Sequence, residues 1–362
     1  MNILIIGNGF DIAHGLKTSY MEFLQYCDEL KKKDYNKSDF PIDIEVFLND
    51  NIWLKYFLEI APKMDDKTWI GFENAIGNVI NILEKSKFDV DYVTYFNVSL
   101  LPEAKFSINI SNRDEDHIIS KFLSCICKEK TDILSLPVNN KQEFIEYLFE
   151  ELRKFAQVFE HYCLNEIDAR TRIPELHKIL KKGLSFDAVL SFNYTHTFET
   201  LYGNKNTKYC YIHGEARKGK DHNANLILGI DDELKDDSKN TKFEFVKFKK
   251  YFQRILYKTG AEYKDWINFI KKKWNEFQHT IYIVGHSLDK TDHDVLKEFF
   301  DLTDIAKIVV CYYSEKNYID KIQRVISIIG KDELIKQVHG ADWSIKFVDQ
   351  YSKDGVFVKQ TS

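Results

Sequence analysis

Residues 1–20 read MNILIIGNGFDIAHGLKTSY, and the fold class follows from how they divide into strand, turn and helix. Asn2 to Ile6 is a continuous apolar run stopped by Gly7, the pattern of a short strand buried on both faces. Gly7 and Gly9 permit a tight turn, so the N–H groups of Gly7 to Phe10 can face a pyrophosphate. The third glycine of a Gly-x-Gly-x-x-Gly turn is replaced by Ile12, and Asp11 places a carboxylate beside the turn. A glycine turn capped by Asp11, with no ligand, is the plain alternative. Ser19 and Glu22 have capping-box spacing, so a helix is predicted from there. That leaves about ten residues of loop after the strand, more than an ordinary strand–helix turn needs.

Downstream the pattern changes twice. From 41 to 183 it is mainly helical, with apolar stripes over Ile44–Ile60, Trp69–Leu83 and Lys141–Ile167. Asp89–Asn112 is rich in β-branched and aromatic residues and fits either strands or an ordered loop. From 184 onward, strands are predicted at Ala188–Phe192, Tyr209–Ile212, Leu226–Leu228, Ile281–Val284, Ile308–Tyr313 and Ile345–Val348, with helices at Asp294–Phe300 and Ile319–Ile329. Alternating strands and helices imply an α/β fold: a doubly wound, mostly parallel, Rossmann-like sheet. Residues 1–40 and 184–362 would form it, and 41–183 would be a large helical insertion after the first strand–helix unit.

Composition narrows the classes of function. The 362 residues are 44% hydrophobic and 30% charged, as in an ordinary soluble globular protein. A net charge of −5 argues against a protein that coats nucleic acid, although nucleic acid as a partner stays open. The six cysteines show no Cys-x-x-Cys pair, which suggests reduced thiols and no zinc ribbon. The first apolar run is short and lacks a basic flank, so no signal peptide or membrane span is expected.

Ligands of open α/β sheets lie beyond the carboxyl ends of the strands. Four predicted strands end there in polar loops. Beside Gly7–Asp11 stand Asn193-Tyr194-Thr195-His196, His213-Gly214-Glu215 and Gly285-His286-Ser287-Leu288-Asp289. Histidine is the side chain that ordinarily titrates near neutral pH, so His213 at a strand end suits acid–base chemistry. Asn193 and Thr195 could instead cap a helix. Ser287 nearly fits a nucleophile elbow, but Asp289 replaces its last glycine, so contact with a ribose or phosphate is the better reading.

The order of these loops resembles that of sirtuin-type NAD-binding domains. Gly7, Gly9, Asp11, Gly15 and Leu16 match the sirtuin glycine loop in spacing, with Gly15 as its displaced third glycine. Asn193 corresponds to the asparagine at the nicotinamide ribose, His213-Gly214 to the catalytic His-Gly pair, and Gly285–Leu288 to the Gly-x-Ser-Leu loop near the adenosine. Thr195 replaces an aspartate, Asp11 replaces a serine, and the zinc-binding cysteine pairs of the deacylases are missing. The opening Ile6-Gly7-Asn8-Gly9-Phe10-Asp11, then Ala13-His14-Gly15-Leu16 and Thr18-Ser19-Tyr20, is similar to the signature of the AbiH bacteriophage abortive-infection family. Ser191–Thr195 and Gly285–Leu288 fit the same pattern.

Together the resemblances imply a cytoplasmic antiphage protein that binds NAD or a related nucleotide and hydrolyses its N-glycosidic bond, with no metal. His213 and Asn193 would be catalytic. Gly7, Asn8, Gly9, Phe10, Asp11, Gly15, Thr195, Gly285, His286, Ser287 and Asp292 would bind the nucleotide. A homo-oligomer and a phage-derived trigger are expected. A non-catalytic nucleotide sensor, and a nuclease or other nucleotide hydrolase, stay open as alternatives.

Overall fold

The computed structural model describes residues 1–32, 35–63, 69–93, 103–110, 112–127, 132–134, 136–169, 179–216, 225–230, 243–339 and 343–358. Among them nine strands form: β1 (Asn2–Ile6), β2 (Lys87–Val93), β3 (Glu103–Asn109), β4 (Ile133–Leu134), β5 (Ala188–Ser191), β6 (Lys208–Tyr211), β7 (Thr280–Val284), β8 (Lys307–Tyr312) and β9 (Ile345–Asp349). Six of them make one sheet in the order β6-β5-β1-β7-β8-β9. Every pairing in that sheet is parallel.

The apolar runs form strands here because both faces of the sheet are covered. Alternate residues feed two separate cores. Ile3, Ile5, Leu190, Ile283 and Val310 pack on one side with Trp266, Ile270, Phe299 and Val325 of three flanking helices. Leu4, Ile6, Val189 and Val309 pack on the other with Phe10, Phe198 and Phe357. A strand buried on both faces needs no polar alternation, which is why these segments are continuous in sequence.

The chain divides into two compact units. The first comprises 1–18, 162–218 and 257–362 and holds the six-stranded sheet; the second comprises 19–161 and 219–256. The change of sequence character had suggested 1–40 and 184–362 against 41–183. The second unit combines helices with the antiparallel sheet β2-β3-β4. The open choice over Asp89–Asn112 therefore resolves to strands, with residues 94–102 outside the described ones.

Four local expectations change. The predicted loop after β1 contains a helix, Asn8–Ala13, with Gly7 extended at its N-cap; a second helix, Tyr20–Leu30, starts at the expected Ser19–Glu22 capping box. The stripe over Ile44–Ile60 is two helices, Ile44–Asp50 and Ile52–Ile60. Asn51 separates them because its Oδ1 accepts the Leu54 N–H at 2.9 Å, while its Nδ2 donates to the Glu151 carbonyl at 2.8 Å. The helix from Lys141 is α-helical to Tyr162 and then widens into a π-turn over Cys163–Asp168. Leu226–Leu228 is buried but not a strand; the Gln253 amide occupies the Leu228 carbonyl at 3.0 Å instead.

Candidate functional site at the carboxyl edge of the sheet

Because the six strands run parallel, the loops after β1, β5, β6 and β7 emerge on one edge. The turns after β1 and β7 interlock. The Gly9 N–H donates to the Gly285 carbonyl at 2.8 Å, and a Cβ on Gly7 would lie 2.7 Å from the His286 Cα. Gly285, at φ +65, would bring a Cβ within 2.1 Å of the Phe10 nitrogen. Gly7, Gly9 and Gly285 are thus required for close backbone approach. The Gly7 N–H donates to Val284 and the Phe10 N–H to Gly7. Three of the four amides expected to face a phosphate are therefore donated to carbonyls.

Asn193 joins β5 to this pair of turns, its Nδ2 donating to the Gly7 carbonyl at 3.1 Å. Two residues on, the Thr195 hydroxyl donates to Asp11 Oδ2 at 2.5 Å. Asp11 is buried in the first turn of its helix. Burial pushes its carboxyl up to about 7, opposed by hydrogen bonds from Thr195, Thr197 and Asn193 and reinforced by the charge of Asp168.

The second cluster is an imidazole–carboxylate–imidazole set. His213 Nε2 lies 3.0 Å from Asp292 Oδ1, and His286 Nε2 lies 3.4 Å from Asp292 Oδ2. His286 Nδ1 accepts the Leu288 N–H at 2.9 Å, so Nε2 carries its proton toward the carboxylate. Leu288 takes φ +63 to make that bond, a costly backbone conformation for a residue with a Cβ. Phe192 packs edge-on against the His286 ring at 4.2 Å. The buried Lys321 donates to the His286 carbonyl and ties the β7 loop to the helix Glu315–Ile329. Its loss of solvent lowers its ammonium to about 8. His213 thus faces the carboxylate through Nε2, with Asp292 shared between the two imidazoles.

A third group belongs to this edge and was missed in the sequence. His196 Nδ1 contacts Asp168 at 2.8 Å and Nε2 contacts Glu215 at 2.9 Å. Burial opposes its charge, yet the two carboxylates push it up to about 10, so it is an imidazolium at neutral pH. Asp168 also accepts the His196 N–H at 3.0 Å and so connects the π-turn to the β5 loop. Its partners stand 28 and 19 residues away, beyond any spacing motif.

The other expected positions separate. Phe10 is fully buried among His14, Phe198, Tyr202 and Phe357, a core role instead of a ligand contact. Asn8 accepts the Thr18 hydroxyl. Gly15, at φ +75, lies just beyond the first helix, and its N–H returns to Ile12. His14 is part of the same structural ending: its ring contacts the Phe10 carbonyl at 2.8 Å and the Tyr202 hydroxyl at 2.7 Å. Ser287 is exposed, and its hydroxyl accepts the Asp289 N–H at 3.4 Å. Asp289 itself pairs with Arg324 at 2.6 Å.

Residues 3–313 match the family described as bacteriophage abortive infection AbiH, a span that contains all four loops. The chain belongs to the AbiH family. Membership supports an antiphage role through abortive infection. The AbiH match encloses the whole second unit and runs through the first from β1 to the end of β8, short of the helix Glu315–Ile329 and β9. No curated protein matches this AbiH chain. Among its described residues no helix is long and apolar enough to cross a membrane. No group of three or more His, Cys, Asp or Glu among them is placed to hold a metal ion.

Proposed function

We propose that this AbiH-family protein binds NAD or a related nucleotide at the carboxyl edge of its six-stranded sheet and hydrolyses the N-glycosidic bond. The observation that carries the reading is the 3.0 Å contact of His213 with Asp292, set where the Asn193 and Gly7–Asp11 loops converge. Counted alone, the strands of the sheet run 3-2-1-4-5-6, the order of doubly wound dinucleotide-binding folds. That order supports the Rossmann-like assignment, and the sirtuin-like loop order goes with it.

In this reaction His213 takes a proton from water as the water oxygen bonds to the ribose C1′. The C1′–N bond breaks with its electron pair going to the pyridinium nitrogen, which leaves as neutral nicotinamide. Asp292 orients the imidazole and balances the charge it gains. Asn193 positions the β1 turn. Because three amides of that turn are donated internally, the reading does not place the pyrophosphate on them. It carries with it a cytoplasmic location, a homo-oligomer and a phage-derived trigger.

Purified protein incubated with NAD, alone and with phage lysate, should release nicotinamide and ADP-ribose on chromatography. His213→Ala and Asp292→Asn should each slow release roughly 100-fold or more. Intact NAD under both conditions overturns the reaction. A second reading, a nucleotide sensor without turnover, is favoured by the burial of His213, Asn193 and Asp292, at 5%, 6% and 7% exposure. Thermal stabilisation by NAD with no nicotinamide released would select it.

A further inference from the structure

The helix Tyr263–Lys273 packs an apolar stripe into the first unit: Tyr263, Trp266, Ile267 and Ile270 are buried in the core on one face of the large sheet. The stripe does not stop where its cover does. Trp274 and Phe277 continue it at spacings of four and three, yet they are 54% and 55% exposed. The backbone is still helical there, because the Phe277 N–H donates to the Lys273 carbonyl at 3.3 Å. Phe269 is 43% exposed, and its ring meets that of His279 edge-on at 6.3 Å. His279 Nε2 also contacts the Lys273 carbonyl at 3.2 Å, so the segment after the helix folds back beside Phe269.

Three half-exposed rings of roughly 200 Å² each leave about 300 Å² of apolar surface, the size at which a patch on a monomer is often functional. Exposed aromatic rings in such a cluster are the side chains that anchor protein interfaces.

The charges around the rings select the partner. The helix carries Asp265 in its first turn and Lys271, Lys272 and Lys273 in its last. Asp265, Phe269 and Lys272 follow at intervals of four and three, so they share a helix face, and all three are exposed. At about 1.5 Å per residue, Asp265 stands about 6 Å before Phe269 and Lys272 about 4.5 Å after it. A second copy turned by a two-fold axis through Phe269 therefore sets an aspartate opposite a lysine twice, which makes the face complementary to itself. An anionic polymer or membrane fits it less well: Asp265 lies on the same face as Lys272, and Lys273 is already paired with Glu276 at 2.7 Å.

We propose that this face joins two copies of the chain in antiparallel, two-fold pairing, with Phe269 at the axis and Asp265 of each copy facing Lys272 of the partner subunit. Trp274 and Phe277 extend the apolar contact on either side. The surface does not depend on the NAD reading, and its failure would leave that reaction untouched.

Sedimentation velocity of the full-length protein over a concentration series tests the pairing. The wild type should dimerise. Asp265→Lys and Lys272→Asp each place like charges opposite one another and should weaken dimerisation roughly tenfold or more. The double variant Asp265→Lys/Lys272→Asp restores both opposite-charge pairs and should recover the dimer. Phe269→Ser should lose it, and His213→Ala should dimerise as the wild type does. A wild type that stays monomeric at every concentration overturns the proposal. So do single charge variants that dimerise normally, or a folded double variant that stays monomeric.

Discussion

Asp11 stands where a phosphate-binding turn would tolerate an anion least, and its side chain points inward. Its carboxylate takes the Thr195 hydroxyl and so fastens the first helix to the β5 loop. Burial raises its ionisation from 3.8 to about 7, so near neutral pH it holds a proton much of the time. The sign of the linkage follows. Between about pH 4 and 7 the folded chain keeps a proton that the unfolded chain releases, so this group's contribution to stability falls as pH rises through that window. Asp11→Asn has no such ionisation. Its stability relative to wild type should therefore rise from pH 4 to pH 8 in urea unfolding, and a pH-independent difference would refute the assignment.

Two turns act as one element at the site. The backbone after β1 passes so close to the backbone after β7 that three glycines are needed between them, and Gly285 alone faces a 2.1 Å approach at positive φ. Gly285→Ala combines a left-handed conformation with that clash. It should destabilise the protein by at least about 3 kcal/mol or prevent folding, whereas Gly15→Ala, whose Cβ meets nothing within 4 Å, should cost about 1–2 kcal/mol. Thermal melts of the two variants check the difference; equal shifts would show that the turns are not interlocked. The same element shows why the site was partly readable. A glycine beside a polar residue at a strand end marks the loop, but nothing local shows that the glycines serve one another. The six-residue helix Asn8–Ala13 was hidden for a related reason: Gly7-Asn8-Gly9 has weak helix propensity, and the packing of Phe10 compensates.

At the scale of the molecule, each unit is assembled from distant chain segments. In the second, Lys250 Nζ meets Glu73 at 3.0 Å across 177 residues of sequence, and both side chains are buried. The helix Lys250–Tyr257 turns its polar Lys250 and Gln253 inward and leaves Ile255 and Leu256 exposed, an inverted amphipathic pattern. Breaking that pair should be costly: Glu73→Leu or Lys250→Met alone should destabilise by about 3–5 kcal/mol, and the double variant should recover most of it. Denaturant unfolding of the three variants measures the coupling, and additive losses would show that the pair is not a unit. The sequence by itself determined the inner strands of the large sheet, since strands covered on both faces need no polar alternation, and the order of the polar loops that follow them. Only the tertiary structure decided that Lys249 and Lys250 are buried cations. It also decided that 219–256 joins the helical unit and that His196 sits between Asp168 and Glu215. Those outcomes depend on partners tens to hundreds of residues away, and local pattern carries no record of a partner at such distance.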